Sequence, residues 1–499
     1  MKNIGHHIAD LRETKGLKQA DLAKILKTTQ SAIARIESGN QNVSADMLKR
    51  IGKALGKNLI TISPGSLNVE INGGKKLSGT IETNTSKNGA VGLLCASLLN
   101  SGVTTLHRMP RIEEVHRIIE VLESIGVKVE WQGNTIKITP PKKLALNKMD
   151  TEAARRTRSI VMFIGPLIHL LPKFNLPQSG GCKLGSRTVA PHFYALENFG
   201  VDIKTTDKNY EITYTPKKPE EIILYESGDT VTENTLFAAA KSPHTTIVKY
   251  ASANYMVQEI CIFLQLLGVK IEGIGTTTLK ITGLESINKD ISYTLSEDPT
   301  DSMFFLATAI VTNSTINITR CPIEFLELEL LKLEKMGFKY TKSKVYLSEN
   351  GFTKLVDITT KPSHLKALHE KIHPSVYPGL NIDNLPFFAV IATQAEGQTL
   401  IHDWVYEKRA IYFTELEKLG AETVLADPHR IYITGPTNLK PVELICPPAL
   451  RPATILLIAM LGAKGHSVLR NIYSINRGYE KLVERLSSLG ADIAYLDEF

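Results

Sequence analysis

One short phrase, a leucine, two further residues, an apolar residue, a glycine and another apolar residue, occurs six times along this 499-residue chain. The glycines are 126, 200, 268, 337, 420 and 490, at intervals of 74, 68, 69, 83 and 70 residues. Each phrase reads as the end of a helix stopped by glycine, which closes a helix in left-handed backbone at little cost. A strand pattern follows each time, as in Gly126-Val-Lys-Val-Glu-Trp131. In five copies a polar turn and a second strand come next, for example over Lys128–Ile138. A period near 70 is too long for an ordinary solenoid, so the six units predict two lobes of three rather than a stack. The sixth copy ends on one strand without a partner, while Leu67–Ile71, ahead of the first copy, is a strand lacking one. The expected architecture is therefore α/β, with the early strand closing the C-terminal lobe and leaving that lobe discontinuous in sequence.

Ahead of the repeats stands a module of another kind. Ile8, Leu11, Leu22, Ile25 and Leu26 recur at helical spacing, and a short turn separates Lys18–Leu26 from a second helical run over Thr29–Gly39. Residues 1–60 hold 11 Lys and Arg against 5 Asp and Glu, which is +6 of the whole chain's +7. That asymmetry points toward a polyanionic partner for this module alone. Ser63-Pro-Gly-Ser66 reads as a linker between it and the repeats.

The remaining composition is that of a globular protein, 43% hydrophobic and 22% charged. No basic stretch followed by an apolar run opens the chain, so no signal peptide is expected. The longest apolar runs, near Ser159–Pro172 and Ala453–Ala463, fall short of the roughly 18 residues a membrane span needs. The expected location is the cytoplasm, without membrane insertion. Cys95, Cys182, Cys261, Cys321 and Cys446 form no C-x-x-C pair. Cys95 and Cys261 lie in apolar runs and read as small core residues.

Cys182 is different. It sits in Gln178-Ser-Gly-Gly-Cys-Lys-Leu-Gly-Ser-Arg187, where three glycines permit an adaptable loop and two cations favour the thiolate. This stretch resembles the active-site loop of the UDP-N-acetylglucosamine enolpyruvyl transferases (the MurA family), which move enolpyruvate from phosphoenolpyruvate onto a sugar hydroxyl. The resemblance extends over residues 67–499. It implies a two-lobed enolpyruvyl transferase fold of six βα pseudo-repeats, an inside-out α/β barrel, after a small all-α helix-turn-helix domain. The implied boundaries are 1–63 for that domain, 66–86 plus 295–499 for the first lobe, and 87–294 for the lobe carrying Cys182. The N-terminal module in turn resembles the Cro/C1-type (XRE) repressors. By that resemblance Gln19, Gln30, Ser31 and Arg35 face the DNA groove, and Arg12 pairs with Glu37 internally.

Site residues follow from the same resemblance. Thr85-Ser-Lys-Asn88 gives Lys87 as a catalytic and phosphoenolpyruvate-binding residue, with Asn88 at the acceptor. Arg158, Arg187, Arg409 and Arg477 match further phosphoenolpyruvate-binding positions. Cys182 is implied as the proton donor and the thiol alkylated by fosfomycin, and Asp383 in Tyr377–Asp383 as the general base. Thr230 and Glu297 are implied at the acceptor. Fixed cations can hold the charge that develops, so neither metal nor cofactor is implied. The partners implied are phosphoenolpyruvate, UDP-N-acetylglucosamine and, through residues 1–60, DNA.

The acceptor half departs from the pattern. Ala190, Ala449 and Asn476 stand where the family has acids, and Gly228-Asp-Thr230 replaces Ser-Val-Gly near the nucleotide phosphates. Two other readings stay open beside peptidoglycan synthesis. One is enolpyruvyl transfer to another nucleotide such as uridine monophosphate; the other is a DNA-binding regulator using the transferase body as a ligand sensor. The related shikimate-pathway synthase lacks the cysteine loop.

Overall fold

The computed structural model describes residues 8–9, 12–13, 15–26, 28–38, 51, 54–55, 67–178 and 188–496. The chain forms two compact units. One holds residues 1–70 with 469–473 and 495–499; the other holds 71–468 with 474–494.

In the first unit, helices Gln19–Leu26 and Gln30–Glu37 pack through Leu22, Ala23, Leu26, Ile33 and Ile36. Ile8, Ile51 and Leu55 close this small core. Thr29 starts the second helix, its hydroxyl accepting from the Ala32 N–H (3.3 Å), as an N-cap threonine does. Arg12 Nε donates to Glu37 Oε1 (2.7 Å) and Arg12 Nη2 to Glu37 Oε2 (3.0 Å), so the internal ion pair is present.

The second unit repeats its sheets. Strand Thr104–His107 runs parallel to Ile291–Thr294 and antiparallel to Thr135–Thr139, which pairs in turn with Lys128–Gln132. Strand Thr315–Pro322 does the same with Ser78–Glu82 on one side and Lys354–Lys361 on the other. So does Thr245–Lys249 with Glu221–Ile223 and Thr278–Thr282. All six repeat glycines have φ between 89° and 106°, the left-handed conformation that favours glycine after a helix. Near the C-terminus, the Asn72 N–H donates to the Asp492 carbonyl (2.9 Å), so the early strand joins the last repeat.

Helices Lys87–Ala96, Asp229–Ala240 and Tyr255–Leu266 pack together, as do Pro299–Val311, Leu385–Ala392 and Leu450–Gly462. Leu385-Pro-Phe-Phe-Ala-Val-Ile-Ala392 is buried at every position. A helix apolar all round belongs inside, with the amphipathic sheets turned outward. This is the inside-out arrangement. Two stretches far apart in sequence lie together: Ser86 N–H donates to the Ser296 carbonyl (2.8 Å) and Asp298 N–H to the Asn84 carbonyl (2.8 Å). No described helix is long and apolar enough to cross a membrane.

Candidate active site

The N-terminal ends of the buried helices furnish the site. Lys87 and Asn88 open one helix, Asp229 and Thr230 a second and Arg451 a third, while Asp383 lies just ahead of a fourth. Unsatisfied N–H groups and the positive ends of the helix dipoles make such a position favourable to anions. The side chains around a cavity of about 290 Å³ include Lys87, Arg158, Arg409, Arg451 and Arg477, with Asp383 among them.

These cations are held by defined partners. Arg451 Nη1 donates to the Tyr479 hydroxyl and Nη2 to Thr300 Oγ1, both at 2.8 Å, with Asp383 Oδ2 at 3.4 Å. Arg477 Nη2 donates to Glu114 Oε2 (2.7 Å), whose other oxygen accepts from Thr157 Oγ1 (2.6 Å). Arg409 is almost wholly buried, with Nε on Asp403 and the guanidinium 4.2 Å from the Tyr406 ring centre. Its Nη2 has no hydrogen-bond partner among the described residues. A buried guanidinium donor left open marks a place for an anion. Arg158 Nη2 donates to the Thr188 carbonyl (2.8 Å) and also lines the cavity.

The protonation states follow from these neighbours. Burial alone would raise the Asp383 carboxyl, but Arg451, Arg409 and Lys87 together hold it below its ordinary value. Glu114 is likewise held low, the penalty of burial being outweighed by Lys87 and Arg477. Enclosure lowers Lys87 despite Glu114 and Asp383 nearby. A carboxylate and a lysine of lowered pKa therefore share one pocket wall, a combination suited to proton transfer.

Six expected residues, Lys87, Asn88, Arg158, Asp383, Arg409 and Arg477, meet at this cavity, with Thr230 on its wall. Thr230 Oγ1 lies 3.3 Å from His192 Nε2, and Asn88 Nδ2 lies 3.4 Å from the Tyr255 hydroxyl. Glu297 does not line this cavity. Its side chain is fully enclosed, contacting Arg108 (3.1 Å) and Arg320 (3.0 Å) and accepting from Ser348 Oγ (3.1 Å). Two guanidinium groups compensate a carboxylate that burial would otherwise make costly. Cys182 and Arg187 lie outside the described residues.

Sequence reasoning missed Arg451, Glu114 and His192. Arg451 had a visible signal, a lone arginine opening the apolar run Leu450–Gly462. Glu114 and His192 had none.

In the first unit, Gln30, Ser31 and Arg35 lie exposed on one helix. Gln19 is half-buried, its amide donating to Glu37 Oε2 (2.8 Å) beside the buried ion pair.

A second cavity, of about 670 Å³, shares walls with the first that include Arg158, Glu226, Gly228 and Asp229. Its other described walls carry Glu324, Glu327, Glu329 and Glu407 beside Phe325, Tyr377 and Trp404. Asp229 is held there by Ser252 Oγ (2.6 Å) and Asn254 Nδ2 (3.2 Å).

Comparison with known proteins agrees with this geometry. The chain is 33% identical to the UDP-N-acetylglucosamine 1-carboxyvinyltransferase of Treponema denticola over 426 residues, 85% of this chain and 98% of that protein. The enzyme of the same name from Bradyrhizobium diazoefficiens is 31% identical, over 86% of this chain and 98% of its own length. Among solved structures, the enolpyruvyl transferase NikO from Streptomyces tendae superposes with a TM-score of 0.73 at 24% identity, over 87% of this chain and all of that one. The EPSP synthase of Acinetobacter baumannii gives 0.67 at 18% identity, over 86% and 100%; at these identities the likeness is one of fold. Residues 8–62 match a helix-turn-helix family profile. Residues 71–486 match the profile of EPSP synthase (3-phosphoshikimate 1-carboxyvinyltransferase), and with the cation-lined cavity between helix ends this shows that the chain belongs to the enolpyruvyl transferase family.

Proposed function

We propose that the protein transfers enolpyruvate from phosphoenolpyruvate to the 3-hydroxyl of UDP-N-acetylglucosamine, releasing phosphate, the first committed step of peptidoglycan synthesis. The observation that carries the donor half is the cluster of Lys87, Arg158, Arg409, Arg451 and Arg477 around one cavity, with the open Nη2 of Arg409. A dianionic phosphate beside a carboxylate is the small ligand such a cluster suits. The names of the relatives at about 30% identity support the acceptor.

In this reading Asp383 takes the proton of the acceptor hydroxyl as its oxygen attacks C2 of phosphoenolpyruvate. Cys182 gives a proton to C3, forming a tetrahedral adduct. Loss of phosphate from C2 and of a proton from C3 then restores the enol double bond in the product. Lys87 and the arginines, Arg187 included, hold the phosphate and carboxylate throughout, so their value is greatest where charge develops. Asn88 and Thr230 contact the acceptor. The N-terminal helices bind DNA through Gln30, Ser31 and Arg35, an interaction that must weaken steeply with salt.

One observation favours a second acceptor, uridine monophosphate. Asp229 occupies a helix start on the wall of both cavities, where a diphosphate would meet its charge. Phosphate release from phosphoenolpyruvate, followed with each nucleotide in turn, decides between the two. Release with UDP-N-acetylglucosamine is the expected result. Release with only the monophosphate overturns the peptidoglycan assignment, and release with neither overturns both acceptors.

A further inference from the structure

A carboxyl group on the cavity wall is left over by this mechanism. Glu233 lies one turn inside helix Asp229–Ala240, 1% exposed, and lines the smaller cavity with Asn88, Thr230, His192 and Met256. Its Oε1 has no hydrogen-bond partner among the described residues. The facing helix Lys87–Ala96 has glycine at this contact: a Cβ at Gly92 would stand 3.0 Å from Ile260 Cδ1 and 3.2 Å from Glu233 Oε1.

Among the described residues, no cation faces Glu233 closely enough to stabilise its ionised form. The charged and titratable groups around it are Asp229 on its own helix, Glu259 and Cys261 on Tyr255–Leu266, Cys95 on Lys87–Ala96 and His192 on Ala190–Glu197. Burial first, and then the like charges of Asp229 and Glu259, push its carboxyl well above the ordinary range. A buried ionised carboxylate without a partner is among the costliest groups a protein can hold, so the neutral acid prevails. A neutral acid carries an O–H donor, and buried donors are found bonded.

Resting on the enolpyruvyl transferase reading, we propose that Glu233, as a neutral carboxylic acid, donates a hydrogen bond to an uncharged oxygen of the acceptor, a hydroxyl or amide carbonyl, and so helps to determine acceptor specificity. The phosphoenolpyruvate groups are already matched by the arginine and lysine cluster. A phosphate of the acceptor at this point would meet Asp229 across the same helix start. An uncharged face of the acceptor is what remains for Glu233.

The test uses the full chain as wild type, Glu233→Gln and Glu233→Ala, titrated calorimetrically with UDP-N-acetylglucosamine, uridine monophosphate and phosphoenolpyruvate separately. Glutamine keeps a neutral donor in nearly the same shape, so acceptor affinity should stay within about threefold of wild type. Alanine removes the donor, and acceptor affinity should fall by about tenfold, the scale of one hydrogen bond. Phosphoenolpyruvate affinity should be unchanged in both. Infrared difference spectra, wild type minus Glu233→Gln at neutral pH, should show the carbonyl stretch of a protonated carboxyl that shifts when acceptor binds. Wild-type acceptor affinity in Glu233→Ala overturns the proposal, as does equal loss of acceptor and phosphoenolpyruvate, which marks a packing role. Absence of the protonated band also overturns it. If neither nucleotide binds wild type, the acceptor assignment under the proposed function falls, and the donor claim then stands or falls on whether the band is present and shifts with any acceptor that supports phosphate release.

Discussion

The two cavities of the transferase unit are built from opposite electrostatic plans. Around the smaller one, cations and acids interleave: Arg477 with Glu114, Arg451 with Asp383, Arg409 with Asp403. Each of these cations is paired with an acid, and the buried Nη2 of Arg409 has no partner among the described residues. Around the larger one, the described walls carry six acids, Glu226, Asp229, Glu324, Glu327, Glu329 and Glu407, against Arg158 alone. Paired cations at helix ends recognise a small, highly charged anion. An acid-bearing wall with Phe325, Tyr377 and Trp404 recognises through shape and hydrogen bonds, and repels excess phosphate. The smaller cavity therefore suits a ligand held by charge, and the wall that the larger one adds suits a ligand held by shape and hydrogen bonds.

The largest expected effect comes from breaking the paired plan at Arg409. Arg409→Met leaves Asp403, itself fully buried, without its cation. Losing one partner of a buried pair costs about 3–5 kcal/mol, and phosphoenolpyruvate binding should vanish with it. Chemical denaturation and calorimetry read the two losses. A variant as stable as wild type would show that Asp403 does not depend on this pair.

Glu259 tests whether the acids behind the site are held neutral by burial. Its carboxyl is pushed up to about 7 from 4.5, by burial first, against hydrogen bonds from Ser296 and Tyr293 that lower it. A raised folded-state value means that the native protein keeps its proton while the unfolded chain loses it. The stabilisation is complete below pH 4.5 and is lost as pH rises through about 7. The loss is of the order of 3 kcal/mol. Glu259→Gln should remove that slope from unfolding free energies measured between pH 4 and 8. An unchanged slope assigns the titration to another group.

Asp383→Asn probes the chemistry without emptying the donor site. Turnover should fall roughly a hundredfold or more, the usual contribution of a positioned base, with phosphoenolpyruvate binding nearly intact. Parallel loss of both would mean that Asp383 serves mainly to hold Arg451. The smallest effect is expected at Asp229. Asp229→Asn keeps bonds to Ser252 and Asn254 available while removing one negative charge. UDP-N-acetylglucosamine should bind up to about tenfold tighter, as weakened repulsion in a partly solvated site allows, and uridine monophosphate should gain less. Equal gains for both nucleotides would remove the distinction drawn between the cavities.

Much of this was legible in the chain alone. Local backbone chemistry wrote the repeat glycines, since only glycine accepts left-handed backbone without strain at every helix end. Apolar periodicity wrote the small N-terminal core of Leu22, Leu26, Ile33 and Ile36. Resemblance to the enolpyruvyl transferase motifs, matched in order along the chain, brought Lys87, Arg158, Asp383, Arg409 and Arg477 forward as one set.

Only the tertiary structure decided which charges meet. Arg477 and Glu114 stand 363 residues apart in sequence and 2.7 Å apart in space. Glu297 is enclosed by Arg108 and Arg320, whose approach cannot be read from its neighbours in sequence. Glu233 and Glu259 acquire their character from burial, and burial of a polar side chain within a helix is set by what packs against it. Local interactions are written in neighbouring residues, whereas desolvation and Coulomb energy depend on distances that exist only once the lobes have folded.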